Sequence, residues 1–174
     1  MYRSPRSVLR DRKAHCFDGA LFAAAALRLL GYAPQVCEIK AVRDDVHLLA
    51  LFRIDGHFGA IAKSNFSGLR FREAVFRNLR ELVLSYFEDY YNVDGEKTMR
   101  GYTVPLDLSR YDSLHWMTED AGLDVIAEKL DQIRSASLLT PAMEARLHRV
   151  DRRSYQAGLL GVNEAGLYRP EEHH

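Results

Sequence analysis

Two side chains in the first third of the chain have the types and the setting for thiol chemistry: Cys16, at the head of an apolar run, and His47, at the head of a run of strand character. A thiolate, not a thiol, attacks carbonyl carbon, and the unpaired N–H groups of a helix's first turn favour the thiolate, so Cys16 is predicted to titrate below the usual value of about 8.5. Cys37 lies in a strand with Val36 and Ile39, where burial makes a thiol inert. His47 is the candidate base, and a third polar group must hold its ring in the useful tautomer. If Asp55-Gly56 forms a two-residue hairpin, Ile54 faces His57 and His47 faces Ser64, which puts Lys63, Ser64 and Asn65 beside the imidazole. Asn65 is the first choice as orienting group. Ser64 and Asp45 are the alternatives, Asp45 because its charge would stabilise an imidazolium. With backbone N–H groups at the helix start, including that of Cys16, as oxyanion donors, such a set would attack an amide or ester carbonyl and hand the acyl group to water or another acceptor.

These residues need a helix and a sheet to bring them together. The run DGALFAAAALRLL from Asp18 to Leu30 is rich in alanine and leucine and apolar nearly all round, and Gly31 stops it. Strands are predicted over residues 35–42, 46–54 and 57–64, the last two joined by Asp55-Gly56; 46–54, apolar on both faces, should lie centrally with the helix against one face. Residues 65–75 read as a polar excursion and 76–91 as a second core helix. The stretch 93–113 reads as irregular, with one short strand over Tyr102 to Val104. A stripe of Leu123, Ile126, Leu130 and Ile133 predicts a packing helix, and Thr140-Pro141 starts another. The expected class is α+β: one domain over 1–174, with a core at about 8–92 and a helical C-terminal extension at about 114–160.

Composition narrows the function classes. Lysine plus arginine and aspartate plus glutamate number 24 each, so no net field draws the chain to nucleic acid or to a membrane. Two cysteines without CxxC spacing argue against a disulfide framework and a zinc ribbon. With no signal-like N-terminus and no run of about 18 apolar residues, a cytoplasmic protein is expected. His57 with His47 lacks a third metal ligand, so neither metal nor cofactor is expected. Arg70, Arg72 and Arg77, and the face of Arg146, Arg149, Arg152 and Arg153, read as solvated; Tyr86, Phe87, Tyr90 and Tyr91 read as core and rim. His173 and His174 read as remnants of a purification tag.

The segment Cys16-Phe-Asp-Gly-Ala20, the run to Leu27-Arg28 and Gly31, and His47 leading a strand and hairpin resemble the transglutaminase-like core of the papain-like cysteine protease superfamily, over about residues 8–66. LRFRE and RELVLSYFEDYYN resemble segments of short bacterial proteins of this type. The resemblance implies a cysteine-dependent hydrolase or acyl transferase acting on a peptide or a small amide or ester. Members of the family usually carry an aspartate shortly after an aromatic residue on the last of these strands. Here Phe58 is followed by Gly-Ala-Ile-Ala-Lys-Ser-Asn, leaving the third place to Asn65, Ser64 or Asp45. A catalytically inactive domain that binds a peptide or protein in a cleft around residues 63–73 is the alternative.

Overall fold

A computed structural model describes residues 2–169; His173 and His174 lie outside the described residues. Ser4 caps the short helix α1 (Pro5–Asp11), with proline in its first turn, and Arg12 ends it in a left-handed conformation. Helix α2 (Cys16–Leu29) follows, starting two residues earlier than the alanine run suggests because Asp18 turns back to accept the N–H of His15 at 3.2 Å. The same buried carboxylate accepts the N–H of Arg3 at 2.9 Å, tying the N-terminal strand of chain to the head of the helix.

A seven-stranded antiparallel sheet carries α2 on one face. Strands β1 (Gln35–Ala41), β2 (His47–Ile54), β3 (His57–Ile61), β4 (Phe71–Phe76), β5 (Met99–Thr103), β6 (Leu106–Asp107) and β7 (Ser135–Ser137) lie in the order β4-β3-β2-β1-β5-β7, with β6 pairing the start of β1. β2 is interior, as its two apolar faces predict. Leu48 and Ala50 meet Leu21 and Ala24 of α2 together with Trp116 and Leu123, Ile126 and Leu130 of α4 (Leu123–Gln132). Leu49 and Leu51 face the other way, onto Leu82, Val83 and Tyr86 around α3 (Leu79–Leu84). The period of two along β2 thus feeds two separate cores.

The Asp55-Gly56 hairpin has both residues at positive φ, 48° and 81°, and pairs Ile54 with His57 through to Ala50 with Ile61. The register is the expected one; the length is not. β3 ends at Ile61, so His47 has no ladder partner at Ser64 and pairs only with Ile39 of β1. After Ile61 the chain leaves the sheet and passes over Gly19, one turn into α2, where a Cβ would collide with Lys63 Cβ, so the crossing needs glycine.

Elsewhere the sheet takes more of the chain than expected. Residues read as a polar excursion form β4, an edge strand in which adjacent Arg72 and Glu73 break the apolar alternation and Phe71 and Val75 face solvent. Arg72 is not merely solvated: its guanidinium lies over Tyr86 at 4.0 Å and its Nε donates to Ser85 Oγ at 2.9 Å. The second core helix stops at Leu84 because the chain tightens into a 3-10 turn at Phe87–Asp89, which buries Tyr86, Tyr90 and Tyr91. The stretch read as irregular supplies β5 and β6, and the region expected to be helical supplies β7. The helix begun by Thr140 is one turn, α5 (Pro141–Glu144); α6 (Arg152–Gly158) is separate, so the four arginines share no single helical face. No helix among the described residues is long and apolar enough to cross a membrane.

Candidate active site

The early end of β3 leaves a gap in the sheet. In a two-residue hairpin the closing pair is hydrogen-bonded, so the even-numbered residues of β2 aim their N–H and C=O at β3. Beyond Ala50 those groups have lost their strand, and Cys16 stands in for it. Its Sγ donates to Val46 O at 3.6 Å, just before His47, and the main-chain N–H of Leu48 favours the thiolate. The N–H groups of Cys16 and Phe17, in the first turn of α2, also favour the thiolate.

His47 shares the face of Leu49 and Leu51, and its ring meets Tyr90 edge-on with centroids 6.3 Å apart. Only 5% of the residue is exposed. Nε2 lies 2.9 Å from Leu69 O. A carbonyl only accepts, so Nε2 carries the hydrogen and, in the neutral ring, Nδ1 keeps the lone pair. The group that orients the imidazole is therefore a backbone carbonyl of the loop after β3, and neither a carboxylate nor a side-chain amide.

Cys16 and His47 line one cavity of about 240 Å³. Asp45, Ser64 and Asn65 line it as well, but none of them hydrogen-bonds to the imidazole. Ser64 Oγ accepts the N–H of Phe66 at 3.0 Å. Asn65 turns the other way: its Nδ2 donates to Asn163 O at 3.2 Å and its Oδ1 accepts the N–H of Asn163 at 3.4 Å. The Asp45 carboxylate takes the N–H of Val46, and its main-chain carbonyl takes Tyr90 OH at 2.7 Å.

The titration of the pair reverses the expectation for a helix N-terminus. Burial pushes the Cys16 thiol up to about 11, with the Asp45 charge acting in the same direction; the N–H groups of Phe17, Leu48 and Cys16 oppose it and lose. Burial also drives His47 down to about 4, opposed by the Leu69 carbonyl and aided by the Lys63 charge. Both shifts oppose transfer of the proton from sulfur to imidazole. Thiol and imidazole accordingly rest neutral. Burial likewise raises the Cys37 thiol to about 12, and it donates to Thr103 O at 3.3 Å within the sheet.

His57 stays at the hairpin, its Nδ1 3.1 Å from Asp55 O, and no three metal-ligating side chains converge among the described residues. What the sequence did not disclose is the far wall of the cavity. Asn163, Gly166, Leu167 and Tyr168 lie across it, more than ninety residues along the chain from Asn65, in a stretch with no periodic pattern to announce the contact. The chain matches no protein-family model, and no curated protein matches its sequence.

Proposed function

We propose that the protein is a cysteine-dependent hydrolase or acyl transferase of transglutaminase-like type, in which Cys16 attacks the carbonyl of a peptide, amide or ester and His47 handles the proton. The observation that carries this reading is that thiol and imidazole line one cavity with the imidazole Nε2–H committed to Leu69 O, which leaves Nδ1 as the proton acceptor. Sγ–H gives its proton to Nδ1 as the S–C bond forms. The imidazolium then returns that proton to the leaving amine or alcohol as the C–N or C–O bond breaks. Water or a second nucleophile releases the acyl group from sulfur. The free N–H groups of Cys16 and Phe17 are the donors available to an oxyanion. Leu69 fills the role for which Asn65, Ser64 and Asp45 were the candidates.

The alternative is a silent transglutaminase-like domain that binds a peptide or protein. It draws support from the thiol's hydrogen bond, which goes to Val46 O and not to the ring. Acylation of the protein by an activated ester, followed by mass spectrometry of the Cys16 peptide, separates the two. Catalysis predicts an adduct on Cys16 that disappears in Cys16→Ser and forms about 10²–10⁴-fold more slowly in His47→Ala. An adduct whose rate ignores His47, or no adduct at all, decides for the silent domain.

A further inference from the structure

The far wall of the cavity is the chain's own C-terminal segment, and the way Asn65 holds it is informative. Both ends of the Asn65 amide are engaged by one residue's main chain, the C=O and the N–H of Asn163. The Asn163 side chain takes no part in that grip; its Oδ1 accepts the N–H of Ala165 and caps the 3-10 turn Glu164–Gly166. A side-chain amide that pairs with a main-chain N–H and C=O reads a polypeptide whatever its sequence, as strand-type peptide recognition does. Gly166 follows at the closest point, where a Cβ would come to 2.9 Å from Asn65 Nδ2, and Leu167 and Tyr168 continue along the cavity lined by Cys16 and His47.

We infer that the cleft is built to take a peptide by its main chain, with Asn65 as the gripping residue, and that Asn163 to Tyr168 lies along one side of it as an internal pseudo-substrate that narrows access to the site. This rests in part on the catalytic reading above, in that the pseudo-substrate stands where an acyl donor would lie, but the closure itself does not depend on turnover. The strap is latched lightly. Upstream of Asn163 it is tied by Ser67 Oγ to Ala157 O at 3.1 Å, by Tyr91 OH to Ser154 O at 3.1 Å, by Tyr155 OH to Val93 O at 2.8 Å, by the Tyr155 ring against Tyr91 at 5.7 Å, and ahead of α6 by Val150 N–H to Gly95 O at 3.0 Å and Arg149 to Asp94 O at 2.9 Å. No residue of α6 is buried, and Leu160 is 82% exposed. Segments held by a few polar contacts and little apolar burial open at the low end of the local stability range. Cys16 is half-buried, and opening would give it more water and weaken the desolvation that raises its thiol.

Gly158 offers a lever in the full-length chain, because a Cβ there would collide with Tyr91 OH and lift α6 from its seat. In Gly158→Ala the alkylation of Cys16 by iodoacetamide should speed up by about tenfold or more, while Cys37, buried in the sheet, stays at the wild-type rate and reports an intact fold. Added synthetic peptide spanning residues 159–169 should slow Cys16 again in that variant. Asn65→Asp, which turns the donor facing Asn163 O into a second acceptor, should also speed Cys16 and abolish the protection by peptide, and it serves if Gly158→Ala exposes Cys37 as well. Wild-type rates in the variants overturn the strap. A faster Cys16 that the peptide does not protect overturns the peptide-binding cleft. Because alkylation needs no His47, loss of the catalytic reading would leave these results standing.

Discussion

The two walls of the cavity are built on different terms. The wall of α2 and β2 belongs to the core: Leu21, Ala24, Leu48 and Ala50 are buried essentially completely, and Cys16 is fixed by the first turn of the helix and by the open edge of the strand. The wall of α6 and the segment to Tyr168 buries no residue of its helix and is held mainly by hydroxyls and one side-chain amide on main-chain groups, with the Tyr155 ring against Tyr91 as its one aromatic contact. Apolar burial at about 25 cal/mol per Å² makes the first wall inseparable from folding, whereas hydrogen bonds that exchange with water leave the second near balance. One wall of the cavity is thus fixed by the core and the other is lightly held.

The largest effect that tests this contrast is on stability. Leu21→Ala should lower the free energy of unfolding by about 2–5 kcal/mol in urea titration, since the methylenes it removes pack against Leu48, Trp116 and Ile126. Tyr155→Phe removes the hydroxyl bonded to Val93 O and should cost about 0.5–1.5 kcal/mol. If the two substitutions cost the same, the strap is part of the core and the contrast between the walls fails.

How much of this was legible in the sequence follows from where each signal comes from. The alanine-rich helix, the Asp55-Gly56 hairpin and its register depend on local periodicity and turn chemistry, and they stand in the structure as read. The end of β3 was not legible, because the chain leaves the sheet to pass over Gly19 at Lys63, a contact between elements that no local pattern encodes. β4 was masked because Arg72 and Glu73 stand side by side and its exposed face carries Phe71 and Val75, so neither face reads as apolar against polar. Cys16 and His47 were found from their types and positions, and the structure sets both on one cavity; Leu69 was invisible because its contribution is a carbonyl that every residue possesses. The thiol's titration was misjudged because a helix N-terminus is visible in sequence, while the burial that outweighs it comes from the whole fold.

A second test uses pH. The imidazole of His47 falls from 6.5 to about 4 on folding. Above pH about 6.5 neither state holds the proton and the group contributes its full stability. Between about 6.5 and 4 only the unfolded chain binds it, so stability declines on acidification by about 3 kcal/mol in all and levels off below 4. Burial raises Asp44, Asp45 and Glu38, which acts in the opposite sense, because the folded state then binds the extra protons. The contribution of His47 is therefore read as a difference: the gap in unfolding free energy between wild type and His47→Gln should narrow by about 3 kcal/mol from pH 7 to pH 4. Parallel profiles would mean that water reaches the ring in the folded protein, and the lightly held wall would then be open and not closed over it.

The smallest expected effect marks where the strap begins. Arg100 Nε donates to Glu144 Oε2 at 3.0 Å, joining β5 to α5 just ahead of the segment that covers the cavity. The carboxylate is 40% exposed, and Arg100 also donates to Lys97 O and Met99 O, so it keeps its place when the ion pair is lost. Glu144→Gln should thus cost under about 1 kcal/mol, with the difference shrinking further in salt. Cys16 alkylation in this variant should match wild type, because α5 lines no part of the cavity. Were alkylation instead to accelerate as expected for Gly158→Ala, the closing element would have to extend back to residue 141, and the weakly held wall would be a larger unit, anchored on the sheet through β7 and not only on the Tyr91 and Asn65 contacts.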